Sequence, residues 1–156
     1  MKIRPLVILC VTLACSAAAS RELHSYALVQ DDGSLLIDGK RVHLYGVHLP
    51  DTRRRCSSII RPSRCGSRAM LALDFRIQGF VHCYPQTKNT DGSLNAICYV
   101  DRGRFHEGDD LAAYLLEQGL ALASPNAPFE YHALERIARH HHRGIWGYSV
   151  DSIRRP

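Results

Sequence analysis

Hydrophobic and polar positions along the chain change period several times. Leu23 to Asp31 reads as extended and runs into the turn signal Asp31-Asp32-Gly33-Ser34. Leu35 to Asp38 is short and apolar, and Asp38-Gly39 is a two-residue hairpin pair. Arg41 to Val47 alternates, with Val42 and Leu44 on one side and His43 and Tyr45 on the other, until Pro50 stops pairing. Arg53 to Arg68 is a loop by its Pro, Gly and Ser content. From Ser67 the period turns helical: Met70, Leu73 and Ile77 share a face, beside Ala69 and Ala72, and Gly79 stops it. Phe80 to Tyr84 and Leu94 to Val100 are two more strands, joined by a hairpin loop over residues 85–93. Asp109 is placed to cap a helix over Leu111 to Gln118, with Leu111, Tyr114 and Leu115 buried and Gly119 at its end. A last helix starts near Phe129, turns Tyr131, Leu134, Ile137 and Ala138 inward, and ends at Gly144. Ile145 and a core Trp146 follow.

The order is therefore three strands, a helix, two strands and two helices, with no internal repeat. That is an α+β layout: five strands with a helix inserted after the third, as in a small closed barrel of the OB type. Strands and helices do not alternate regularly, which argues against a doubly wound sheet.

The N-terminus changes the picture of where the protein works. Lys2 and Arg4 precede an uncharged apolar run of eleven residues, Pro5 to Cys15, and the small residues SAAAS follow. This is the layout of a secretory signal peptide over 1–20, cleaved after Ala19 or Ser20. The run is too short to span a bilayer, which takes about 20 apolar residues. The alternative is a lipid anchor through Cys15, within TLAC. The remaining chain divides into one domain, 21–148, and a polar tail, 149–156. Cleavage removes two positive charges and no acid, so the formal charge falls from +5 to +3. A secreted or periplasmic monomer of mildly basic charge is expected.

Cys56, Cys65, Cys83 and Cys98 remain after cleavage. An even number in an exported chain reads as two disulfides, with three pairings possible. Cys56–Cys65 within the arginine loop and Cys83–Cys98 between two strands are the favoured pair. A zinc site is disfavoured, since no Cys-x-x-Cys spacing occurs. The loop itself carries six arginines, Arg53, Arg54, Arg55, Arg61, Arg64 and Arg68, and no acid. It is either a solvated loop, partly neutralised by Asp101, Glu107, Asp109 and Asp110, or a contact for a polyanion such as nucleic acid or acidic polysaccharide. Aromatic stacking on single strands has only Tyr45, Tyr84 and Tyr99 as candidates. The run His140-His141-His142 reads as a solvated helix end, because consecutive helical residues point about 100° apart and cannot converge on one ion.

Taken in order, DDGS, DGKRVHLYGVHLPD, CGSRAM, DGSLNAICYV, LLEQGLA and YHALERIARHHHRGIW resemble the staphylococcal-nuclease-like (thermonuclease) domain from about Tyr26 to Trp146. Glu135 to Arg139 followed by Gly144-Ile145-Trp146 is the most specific part, and the four cysteines resemble the exported branch of that family. The resemblance implies a five-stranded OB barrel with three helices, descended from calcium-dependent phosphodiesterases that cut DNA and RNA.

The same resemblance implies an altered active site. Gly33 stands at a calcium-ligand position, and a one-residue slip would bring Asp32 there instead. His48 stands at a second ligand position, and Asp51 at that of the base that activates water. His43 and Ser93 occupy the places of two phosphate-binding arginines. Calcium takes about six to eight oxygen ligands, and losing one preorganised stabiliser of a transition state can cost roughly 10²–10³ in rate. The resemblance thus implies a non-catalytic binding module with no cofactor. The alternative is an active endonuclease that uses calcium, or a transition metal held by His43, His48 and Asp51. A purely structural or secretion-related role is a third possibility.

Overall fold

The computed structural model describes residues 22–50 and 65–147, with side chains in the second stretch from 68 onward. Asp51, Arg53, Arg54, Arg55, Cys56, Arg61 and Arg64 lie outside the described residues, as does the Cys56–Cys65 pairing. The elements run β1 (Leu23–Val29), β2 (Leu35–Ile37), β3 (Lys40–Leu44), β4 (Val47–His48), α1 (Cys65–Arg76), β5 (Phe80–Lys88) and β6 (Leu94–Val100). Then come β7 (Asp109–Asp110), α2 (Leu111–Glu117), β8 (Leu122–Ala123), α3 (Phe129–His140) and a 3₁₀ turn, Gly144–Gly147.

Five strands close into a barrel in the order β3-β2-β1-β5-β6, with β3 pairing back onto β6 in parallel. The other neighbours are antiparallel. A closed five-stranded mixed barrel with three helices is an α+β architecture consistent with an OB fold. The β2–β3 turn forms as its residues dictate: Asp38 and Gly39 both take positive φ, 48° and 73°, as a two-residue hairpin of the favoured hand requires. Inward positions of period two build the core. Leu35, Ile37, Val42, Val81 and Ala96 are fully buried, and Leu73 of α1 and Leu111, Leu115 and Leu116 of α2 close the barrel's interior. Cys83 and Cys98 face each other across β5 and β6 and form a disulfide, Cα–Cα 4.1 Å.

Several expectations are corrected. The strand expected over Arg41 to Val47 breaks at Tyr45-Gly46, where Gly46 has φ 74°. A Cβ there would sit 3.1 Å from the Tyr131 ring, so α3 forces the bend. Beyond it, β4 pairs with β8 instead of the barrel. The helix cap is Asp110, not Asp109: Asp110 accepts from the Ala112 N–H at 2.8 Å, while Asp109 binds Arg76 at the end of α1. Tyr114 of α2 is only half-buried, and Ala112 and Leu116 take buried places. Ile137 of α3 is 50% exposed, because the inward stripe is Tyr131, Glu135 and Ala138. Trp146 is half-buried, with the Arg139 guanidinium 4.3 Å from its ring centre.

Glu135 is 3% exposed, so its charge needs partners. One carboxylate oxygen accepts from the Ala123 N–H at 2.9 Å and the other from Arg139 at 3.0 Å. The helix thereby holds β8, and β8 holds β4 against the barrel. Glu135→Ala would leave a buried N–H without its acceptor and is expected to lower stability by about 2 kcal/mol, read from urea unfolding. A loss under about 0.5 kcal/mol would contradict this role.

Candidate functional site

Two hairpin turns stand at one end of the barrel, and they share one construction. Both are built from the tetrapeptide DGSL, at residues 32–35 and 91–94. In the first, the Asp32 carboxylate accepts from the Ser34 N–H at 2.9 Å and from its hydroxyl at 2.6 Å. In the second, Asp91 accepts from the Ser93 N–H at 2.9 Å and its hydroxyl at 2.7 Å. The backbone closes alike: Gly33 N–H donates to the Gln30 carbonyl and Gln30 N–H to Ser34, as Gly92 does to Asn89 and Asn89 to Ser93. An aspartate reaching its own backbone two residues on is a turn device. The glycine between supplies positive φ, 80° at Gly33 and 85° at Gly92.

This construction decides what positions 33 and 93 can do. A Cβ on Gly33 would lie 2.0 Å from Leu49 Cδ1, so no carboxylate fits there without displacing Leu49. Ser93 is 5% exposed, and its hydroxyl also accepts from the Asn89 amide at 2.8 Å. It is a fastened turn residue, with no room for a long cation. Asp32, the one-residue alternative, is already bound by Ser34 and lies 3.5 Å from Arg41.

His43 lies on β3 directly beside Asn95 of β6. Asn95 and Asn89 exchange amide contacts, and Asn95 also donates to Thr87 at 2.9 Å. His43 thus borders a network of amides. His43 acts electrostatically on both Asp32 and Asp91. Burial raises the Asp32 pKa, but the two Ser34 bonds, with Arg41 and His43, outweigh it and hold the carboxyl below its ordinary value. At Asp91 the Ser93 hydroxyl and N–H lower the pKa likewise. A pocket of about 370 Å³ opens beside the first turn, lined by Val29, Gln30, Asp31, Asp32 and Arg41.

His48 is on β4, half-buried and opposite Leu122 of β8. Among the described residues, no three His, Cys, Asp or Glu side chains are grouped to hold a metal ion. Calcium, which the resemblance implies, does not fit the described residues: position 33 is closed by Leu49, and His48 offers nitrogen where calcium takes oxygen. Arg68 is half-buried on the first turn of α1. Of the four acids expected to offset the arginine loop, Asp101 and Asp109 pair with Arg76 and Asp110 accepts from Tyr131. Burial and the bond to Asp110 push the Tyr131 phenol far above its ordinary range. The paired turns escaped the sequence reading, although the repeated DGSL was a visible signal. Comparison of the sequence with protein-family models and with curated proteins finds no match to either.

Gly33→Asp is expected to destabilise by about 2 kcal/mol or more, from a left-handed non-glycine residue and the displaced Leu49. Calcium should not restore the loss in urea unfolding. A variant as stable as the wild type, and stabilised further by calcium, would contradict the steric argument. Removing the hydroxyls, Ser34→Ala and Ser93→Ala, should raise the Asp32 and Asp91 pKa values toward about 3.9 in a carboxyl NMR titration. Because the folded pKa values are depressed, these bonds stabilise the fold above that value and the contribution is lost as pH falls through them. Unchanged titrations would show that the turns do not act on the carboxylates.

Proposed function

We propose that the protein is an exported, nuclease-like barrel that no longer hydrolyses phosphodiesters and serves as a binding module. The observation that carries this reading is the Asp32-Gly33-Ser34 turn: glycine stands where the resemblance implies a calcium ligand, and a side chain there would displace Leu49. Phosphoryl transfer depends on cations that absorb charge spread over the equatorial oxygens, and among the described residues the cleft offers carboxylates at Asp31, Asp32 and Asp91 against one arginine, Arg41. That setting disfavours a phosphate. A polyanion contact, nucleic acid or acidic polysaccharide, is therefore assigned to the arginine run Arg53–Arg68 and not to the cleft. The Cys83–Cys98 disulfide is compatible with an oxidising, extracytoplasmic setting.

The test has two arms on the oxidised protein. Single-stranded DNA and RNA incubated with calcium, zinc, manganese or EDTA should remain uncut. Metal-dependent cleavage that disappears in His48→Ala would instead support the endonuclease reading. Fluorescence anisotropy with a labelled oligonucleotide should show salt-sensitive binding. Replacing Arg53, Arg54 and Arg55 by Ala should flatten the log–log salt dependence by about 2, near 0.7 per lost contact on a single strand. An unchanged slope would remove the polyanion part of the proposal.

A further inference from the structure

The outer face of β1 departs from the usual polar face of a barrel strand. Its inward positions hold Leu23, Ser25, Ala27 and Val29, whereas His24, Tyr26 and Leu28 point outward and are exposed. An antiparallel strand with one solvated face is expected to be polar on that face. Tyr26 is 66% exposed, Leu28 64%, and Phe80, opposite Tyr26 on β5, 49%.

These side chains form one connected surface. Tyr26 and Phe80 have ring centroids 4.4 Å apart, His24 lies 5.0 Å from Phe80, and His24 stacks on His82 at 3.9 Å. Farther along β5, Tyr84 meets Tyr99 of β6 edge-on at 6.0 Å. Single exposed apolar residues need no explanation, but a contiguous apolar patch marks an interaction surface.

The charges at its edge neutralise one another. Glu22 accepts from the Tyr84 hydroxyl at 3.0 Å, lies 2.9 Å from His82 Nδ1 and 3.4 Å from Arg102. The Arg102 guanidinium sits 5.2 Å from the Tyr84 ring centre. Nearby, Arg76 is taken by Asp101 and Asp109. Among the described residues the face therefore has no surplus of cations for a polyanion. Aromatic rings with few unpaired charges are the make-up of a protein interface core.

We propose that this face joins two copies of the chain, in place of the monomer expected from the sequence. A two-fold axis running along β5 lays β5 on its counterpart and β1 over the partner's β6 side, so that rings face rings and the Glu22–Arg102 end meets its counterpart. Given ~150–250 Å² for a whole aromatic side chain, the exposed parts amount to about 600 Å² per copy. Two copies bury about 1,200 Å², the lower limit of a specific interface. The dimer is consequently weak and concentration-dependent.

Sedimentation equilibrium of the exported, oxidised protein over a micromolar to submillimolar range tests this. A reversible monomer–dimer equilibrium is expected. Tyr26→Ser with Phe80→Ser should weaken it at least about tenfold, and Leu71→Ser with Phe75→Ser, on the exposed side of α1, should leave it unchanged. Concentration-dependent amide protection in β1 and β5 of the wild type gives a readout that needs no variant. A monomer at every concentration, a dimer untouched by the β1–β5 changes, one dissolved by the α1 changes, or one held by an intermolecular disulfide on non-reducing gels would each overturn the proposal.

Discussion

The parallel pairing of β3 with β6 is the constraint on which the rest depends. Val42, His43 and Leu44 lie beside Leu94, Asn95 and Ala96, and this short ladder closes a sheet that would otherwise have two open edges. Closure turns Val42, Leu44 and Ala96 into one buried layer. It also brings the β1–β2 and β5–β6 turns to the same end, with His43 in electrostatic reach of both. Without this ladder neither the core nor the cleft would exist in its present form.

The closed barrel presents two unlike outer surfaces. At the turn end, carboxylates, amides and one imidazole make a polar cleft whose two aspartates are held ionised by their own serines. Along β1 and β5, rings and leucine make a surface with its charges paired. At position 33 the turn itself favours glycine, through its positive φ and the Leu49 side chain alongside.

The legible parts of the fold were the local ones. The Asp38-Gly39 hairpin, β6 and the ends of α2 follow from φ preferences and periods contained in a few residues. The two-residue strands were not legible, because β4 and β8 depend on packing of Gly46 against Tyr131 and of β8 against Glu135, and β7 on pairing with the end of β6. The rotation of α3 was misjudged for a related reason. Its buried stripe passes through a glutamate, and hydrophobicity alone cannot anticipate a charge that enters the interior to meet a backbone N–H. Between Asp109 and Asp110, the cap was decided by Arg76, distant in sequence. For the site, Gly33, His43, His48 and Ser93 could be flagged only through resemblance, whereas the repeated DGSL carried its own physical meaning. The outward tyrosine and phenylalanine of β1 and β5 were visible as letters, but their side of the sheet was not.

The central claim is that the cleft has no calcium site, and an NMR titration of the wild-type protein with calcium tests it most directly. The account predicts that the amide and carboxyl resonances of residues 31–34, His43, His48 and 91–93 stay in place up to millimolar calcium, apart from small linear drifts. Saturable shifts converging on Asp31, Asp32 and His48 would contradict it and show a calcium site in the cleft.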